Sequence, residues 1–173
     1  MFGTDWSYVF PSLPLSFAVL PFSLLLVTGS MQYTYTYICH CILEALILML
    51  SIAHHSLDAE ALQVTYDPTK ITYRQLLEFF YKMHDPTTAD RQGPDTGSQY
   101  RSGIFYHDAE QESVAREVTN LVNEKWWKGK VVTQILPAGE WWDAEAYHQK
   151  YLNNNPGGYE CPSHFLRSFP PLE

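Results

Sequence analysis

The first 69 residues of this 173-residue chain contain neither lysine nor arginine, and Lys70 is the first cation. Residues 1–57 carry only two formal charges, whereas residues 58–173 mix charged and apolar side chains as soluble domains do. This break in composition predicts two unlike pieces. The first is an atypical apolar segment over residues 1–57, and the second is a folded domain with an irregular tail over residues 58–173.

Other absences exclude classes of function. The net charge of −8 leaves no basic surface for phosphate groups, so a nucleic-acid partner is not expected. The chain has no Asn-x-Ser/Thr sequon, and its first residues lack the cationic region of a secretory signal. We therefore expect a cytoplasmic protein, with membrane association as the alternative.

Two apolar runs make the membrane alternative concrete. Residues 8–27 are long enough to span a bilayer as a helix, although three prolines interrupt them. Residues 37–53 form a second run that contains many helix formers. The second run fits a buried helix, a membrane segment or no stable structure. Membrane contact through residues 8–53 therefore stays open.

The chain has only three cysteines, which differ in their surroundings. Cys39 and Cys41 are too close together for a usual zinc pair, and their apolar neighbours favour inert thiols. Cys161 lies in a polar tail rich in Gly and Pro, which predicts a flexible segment. It is interpreted either as an exposed free thiol or as a mobile thiol suited to disulfide exchange.

The remaining pattern predicts an α+β domain with helices packed on a small sheet. Thr72 and Asp108 are predicted N-caps, each followed three residues later by a glutamine. The predicted elements are strands over 62–66, 102–106 and 131–136, and helices that begin after Thr72 and Asp108 and over 143–152.

The run from Gly93 to Asp108 stands out. Turn residues come first, and four polar side chains (Asp95, Gln99, Tyr100 and Arg101) lead into the predicted strand. A loop fixed to a rigid strand commonly holds a binding or catalytic group. The alternative is a polar loop whose side chains satisfy one another.

Several of these segments together resemble the A-type peptide methionine sulfoxide reductases. The similar segments are Leu57–Pro68, Gly93–Ser102, Tyr147–Leu152 and the tail Gly158-Tyr-Glu-Cys-Pro-Ser-His-Phe-Leu-Arg167, which resembles the fungal and plant branch. The resemblance covers residues 58–167 and implies a ferredoxin-like plait. It implies an oxidoreductase acting on sulfur, which repairs oxidised methionine (the S epimer of the sulfoxide), free or in proteins. Thioredoxin or dithiothreitol would be the reductant, with no metal or organic cofactor.

The resemblance also implies roles for four residues. Glu60 is similar to the family's general acid, and Asp95 and Tyr100 to two polar residues of the sulfoxide pocket. Cys161 resembles the resolving cysteine, which forms a disulfide with the nucleophilic cysteine. A carboxyl group kept neutral by an apolar pocket can donate a proton, and a neighbouring phenol adds a second donor.

The family's Gly-Cys-Phe-Trp-Gly signature, which carries the nucleophile, is absent from the 173 residues. Because residues 1–57 replace the family's first strand, helix and second strand, we expect an incomplete plait with unpaired edges on the strands at 62–66 and 102–106. Two hypotheses follow: a truncated or aberrantly joined reductase with little or no activity, or an inactive binding module anchored by its apolar segment. In a weaker third hypothesis, Cys39 or Cys41 acts as the nucleophile.

Overall fold

The computed structural model of the chain describes residues 22–27, 46–51 and 59–172. The elements within these ranges are, in chain order, β1 (Phe22–Val27), β2 (Leu46–Ser51), β3 (Ala61–Tyr66), α1 (Tyr73–Met83), β4 (Arg91–Gln92), β5 (Asp95–Thr96), a 3₁₀ turn (Ser98–Tyr100), β6 (Gly103–Tyr106), α2 (Ala109–Lys125), β7 (Gln134–Pro137) and α3 (Tyr151–Asn154).

Five of the strands form one mixed sheet in the order β2-β3-β1-β6-β7. β1 pairs antiparallel with both β3 and β6, and β2 pairs antiparallel with β3. β7 lies parallel to β6, to which α2 connects it. β4 and β5 form a separate two-stranded hairpin. The predicted α+β class is confirmed.

The N-terminal apolar runs contribute strands to this sheet. β1 belongs to the first run and β2 to the second, so at these positions the structure has strands instead of helices. β1 lies between β3 and β6, so the expected gap between those two strands is filled. Pairing with two neighbours satisfies the main-chain hydrogen-bonding groups of β1. Among the described residues, no helix is both long and apolar enough to cross a bilayer.

Both predicted helix starts are confirmed. At α1, the Thr72 hydroxyl accepts a hydrogen bond from the Gln75 N–H (3.2 Å), and the Gln75 side-chain oxygen accepts one from the Thr72 N–H (2.9 Å). At α2, the Gln111 N–H donates to the Asp108 carboxylate over 2.8 Å. These side chains satisfy main-chain groups that the first helical turn leaves unpaired.

α1 and α2 pack against one face of the sheet and form the main core. The core includes alternate residues of β3, one residue of β6 and the apolar stripes of both helices: Leu62, Val64, Tyr66, Ile104, Leu76, Leu77, Phe80, Tyr81, Ala115, Val118 and Val122. On the opposite face, Ala61 packs with Phe105 and Trp141. Successive side chains of β3 and β6 therefore point to opposite faces of the sheet, as they do in any strand.

Two predicted elements differ in the structure. The strand expected over 131–136 begins only at Gln134. The helix expected over 143–152 is wrong, because only Tyr151–Asn154 is helical and Lys150 before it has a φ of +52°. The Gln149 side chain donates to the Ala144 carbonyl oxygen over 3.2 Å. Such local side-chain bonds compete with helical main-chain bonds.

The tail is irregular as predicted, but it is packed against the domain. Phe169 stacks on Trp126 with ring centroids 4.9 Å apart, and the Trp126 indole N–H donates to the Pro170 carbonyl oxygen over 2.9 Å. Arg167 donates from its main-chain N–H to the Lys82 carbonyl oxygen at the end of α1. The segment that precedes these contacts carries Cys161, so they fix where that thiol lies.

Candidate active site

The polar run that begins at Gly93 forms a tight hairpin and a 3₁₀ turn rather than an open loop. Gly93 and Pro94 connect β4 to β5, and Gly93 has a φ of +55°, which favours glycine. The Gly97 N–H closes the hairpin on the Asp90 carbonyl oxygen over 2.8 Å. This geometry places Asp95 on β5 and Tyr100 at the end of the 3₁₀ turn, three residues before β6 begins.

Glu60 lies next to this turn. It is half-buried and directly precedes β3, and its main-chain N–H donates to the Gln99 carbonyl oxygen over 3.0 Å. The hydrogen bond ties the start of β3 to the 3₁₀ turn. Two segments that are 39 residues apart in sequence therefore meet at one end of the sheet.

The charges of Glu60 and Asp95 both act on the phenol of Tyr100. Burial raises the pKa of its phenol, the charge of Glu60 raises it further, and the charge of Asp95 adds a smaller increase. A hydrogen bond with Gln99 partly opposes these effects. The raised pKa keeps the phenol protonated at neutral pH, so Tyr100 is available as a hydrogen-bond donor.

Asp95 also has a partner that the sequence did not single out. The Tyr159 hydroxyl donates to both carboxylate oxygens of Asp95 over 3.1 Å. Partial burial and the Asp95 hydrogen bond raise the pKa of Tyr159 to about 12. The only signal in the sequence was position, because Tyr159 stands two residues before Cys161 in the tail.

Cys161 is buried, with 1% of its surface exposed, so the interpretation as an exposed free thiol is wrong. Its Sγ lies 3.5 Å from the Gln92 carbonyl oxygen and 3.2 Å from the Ser163 hydroxyl. Burial raises the pKa of the thiol; hydrogen bonds from Ser163 oppose the rise, and Asp95 adds to it. The thiol is therefore protonated at neutral pH and a weak nucleophile.

Gln92 is a second residue that the sequence analysis missed. It is fully buried in β4, and its amide exchanges two hydrogen bonds with the main chain of Asp85 (2.7 and 3.2 Å). These bonds fix the strand whose carbonyl oxygen faces Cys161. A glutamine beside a Gly-Pro turn has no distinctive pattern in a single sequence.

The structure thus brings together Glu60, Asp95 and Tyr100, and it connects Asp95 to the Cys161 segment through Tyr159. Cys39 and Cys41 lie outside the described residues. Within the described part of the chain, no group of three or more His, Cys, Asp or Glu side chains is arranged to hold a metal ion.

A comparison with protein families identifies the chain. The family described as peptide methionine sulfoxide reductase matches residues 51–168. The chain belongs to this family.

Among curated reductases, a probable peptide methionine sulfoxide reductase of Schizosaccharomyces pombe is 56% identical over 110 residues, which are 63% of this chain and 65% of that protein. MsrA of Mycolicibacterium paratuberculosis is 50% identical over 115 residues, or 66% of each chain. The chain therefore spans slightly less than two thirds of the length of these reductases.

Solved reductase structures have the same fold. Reduced Mxr1 from Saccharomyces cerevisiae superposes with a TM-score of 0.77 at 33% identity, over 86% of this chain and 93% of Mxr1. Methionine sulfoxide reductase A of Corynebacterium diphtheriae superposes with a TM-score of 0.69 at 28% identity, over 86% and 82% of the two chains. A further Mxr1 structure, in complex with Trx2, has a TM-score of 0.63 at 29% identity and covers 86% of this chain and 91% of Mxr1.

Proposed function

We propose that Glu60, Asp95 and Tyr100 form the oxygen-binding side of a methionine sulfoxide pocket. Such a pocket serves the thiol-dependent reduction of methionine sulfoxide when a nucleophilic cysteine is supplied, and the 173 residues contain no Gly-Cys-Phe-Trp-Gly signature to supply it. The observation that carries the proposal is the position of Tyr100. Its half-buried phenol lies within the electrostatic reach of both carboxyl groups.

The residue types suit the chemistry of a sulfoxide. The sulfoxide oxygen is a strong hydrogen-bond acceptor, and the protonated phenol of Tyr100 is a donor. In its protonated form, Glu60 donates a proton to the oxygen as negative charge develops there. Asp95, whose carboxylate already accepts from Tyr159, orients the donors around the oxygen.

The reaction that we propose for this pocket requires a nucleophilic cysteine besides Cys161. Its thiolate attacks the sulfoxide sulfur and takes the oxygen, which yields a methionine thioether and a cysteine sulfenic acid. The Cys161 thiol condenses with the sulfenic acid and releases water, leaving a disulfide. A dithiol such as thioredoxin reduces this disulfide and is itself oxidised. The Mxr1 neighbour in complex with Trx2 supports thioredoxin as the partner.

A second candidate function is sulfoxide binding without reduction. The specific observation in its favour is that the 173 residues contain no Gly-Cys-Phe-Trp-Gly signature. In this case the pocket would bind oxidised methionine in proteins, with residues 1–57 as an anchor. The anchor hypothesis fails if the chain stays entirely in the supernatant when membranes are pelleted.

Titration with the S epimer of N-acetylmethionine sulfoxide, followed by NMR, tests the pocket. We expect saturable binding that Tyr100→Phe weakens by about tenfold, since a hydrogen bond is worth about 1 kcal/mol or slightly more. The matched control is Tyr106→Phe, which removes a phenol beside Glu112 on α2 and should leave binding unchanged. Absence of binding, or equal binding by the Tyr100→Phe variant, would refute the proposed pocket.

A further inference from the structure

Arg167 makes more hydrogen bonds to main-chain carbonyl groups than its place in an irregular tail suggests. One terminal nitrogen, Nη1, lies 2.9 Å from the His84 carbonyl oxygen and donates more weakly to those of Lys82 and Phe165 (3.4 and 3.3 Å). The other, Nη2, donates to the Ser163 carbonyl oxygen over 3.0 Å. The half-buried guanidinium therefore joins two separate segments.

The first segment is the C-terminal end of α1. The last carbonyl groups of a helix lack partners within the helix and carry partial negative charge. Arg167 approaches them with a cationic side chain, and its main-chain N–H binds the Lys82 carbonyl oxygen as well (2.9 Å). These hydrogen bonds attach the irregular tail to the C-terminal end of α1.

The second segment is the turn that carries Cys161. In this turn the His164 N–H donates to the Cys161 carbonyl oxygen over 3.0 Å. Ser163, whose carbonyl oxygen Arg167 binds, also places its hydroxyl 3.2 Å from the Cys161 sulfur. The guanidinium thus holds the residue that covers the thiol, while β4 covers it from the Gln92 side.

We propose that Arg167 is a positioning residue that controls the accessibility of Cys161. While Arg167 bridges α1 and the 161–164 turn, the thiol stays buried against β4. Release of the guanidinium from the turn lets the turn move and exposes the thiol to a second sulfur. This inference rests on the proposed function, in which Cys161 forms a disulfide with a second cysteine. To do so, the thiol must leave its buried position.

The alkylation rate of Cys161 by iodoacetamide tests the inference without any sulfoxide. Mass spectrometry of the tryptic peptide that begins at Tyr151 separates this thiol from Cys39 and Cys41. We expect Arg167→Met to raise the rate about ten- to a hundredfold, since it removes several charge-assisted hydrogen bonds. Arg167→Lys, which keeps the charge and a donor, should fall between the wild type and the methionine variant.

The matched control is Arg116→Met, which removes an exposed arginine paired with Glu112 on α2 and should leave the rate unchanged. The rate is also measured at low urea concentrations. Local opening of the turn exposes little surface, so the faster rate should hardly depend on urea.

Two results would overturn the inference: a rate in Arg167→Met equal to that of the wild type, or an increase that follows urea as steeply as global unfolding does. The second result would mean that Arg167 merely stabilises the whole fold. Because alkylation needs no sulfoxide, a failed sulfoxide titration would refute the proposed pocket and leave this result intact.

Discussion

At the scale of single residues, His84 is the clearest case of a titratable side chain whose pKa is set by burial. Its ring is fully buried between the Phe80 carbonyl oxygen (2.6 Å from Nδ1) and the Ser102 hydroxyl (2.7 Å from Nε2). A carbonyl only accepts, so Nδ1 carries the proton and Nε2 accepts from Ser102. Burial lowers the pKa of His84 to about 3 from the usual 6.5, which keeps the ring neutral.

We therefore predict that stability falls as the pH is lowered from 6.5 towards 3. Over this range the unfolded chain binds a proton at His84 that the folded chain excludes, so the contribution is complete above pH 6.5 and is lost on acidification. The expected loss of unfolding free energy is on the order of a few kcal/mol. Urea denaturation at several pH values measures it.

His84→Gln should flatten this dependence, whereas His107→Gln, at an exposed position, should preserve it. An unchanged pH dependence in the His84→Gln variant would show that other groups cause the acid sensitivity.

At the scale of elements, the β4–β5 hairpin and the tail form one packed unit. A Cβ atom on Gly93 would lie 3.2 Å from the Ser163 Cβ and 3.4 Å from the Cys161 sulfur. The hairpin turn therefore approaches the tail closely enough that only glycine fits without a shift. The φ of +55° at Gly93 adds a conformational reason for glycine.

Gly93→Ala should accordingly lower the unfolding free energy by about 1–2 kcal/mol, the usual cost of a side chain in the left-handed region. Gly139→Ala is the matched control, because no atom lies within 4 Å of its added Cβ and its φ is not positive. It should change stability by less than about 0.5 kcal/mol. Equal stability of the two variants in urea denaturation would contradict the left-handed, closely packed geometry of Gly93.

Local sequence signals predicted some elements well and others not at all. The caps at Thr72 and Asp108 were predictable because each depends on a glutamine three residues away. The prediction of a helix over 143–152 failed because Lys150 lies in the left-handed region (φ +52°), which a right-handed helix does not contain and no local pattern reveals. β1 was not predictable because its neighbours β3 and β6 lie far along the chain.

The candidate site was likewise predicted only in part. Glu60, Asp95, Tyr100 and Cys161 were predicted by resemblance, and these role assignments stay predictions. The burial of Cys161 was not predictable, since it results from Arg167 and from Ser163 closing against β4. These contacts join the tail to β4 and α1, which lie far away in sequence, so the composition of the tail alone does not predict them.

At the scale of the whole molecule, the chain combines a reductase fold with a sequence that contains no Gly-Cys-Phe-Trp-Gly signature. β1 and β2 complete a five-stranded sheet, although the resemblance begins only at residue 58 and the family match at residue 51. The division of the chain into residues 1–57 and 58–173 stays a prediction. This sheet holds Glu60 directly before β3, where its N–H donates to the Gln99 carbonyl oxygen of the 3₁₀ turn.

Our central proposal is that this chain holds the polar side of a methionine sulfoxide pocket, while its 173 residues contain no Gly-Cys-Phe-Trp-Gly signature to carry the nucleophile. Reduction of a methyl aryl sulfoxide with excess dithiothreitol tests it most directly, with an active reductase of the family as positive control. We predict no turnover by this chain, because Cys161 is buried and protonated and the signature cysteine is absent. Turnover that disappears in a Cys39→Ser or Cys41→Ser variant would contradict the claim and identify a substitute nucleophile.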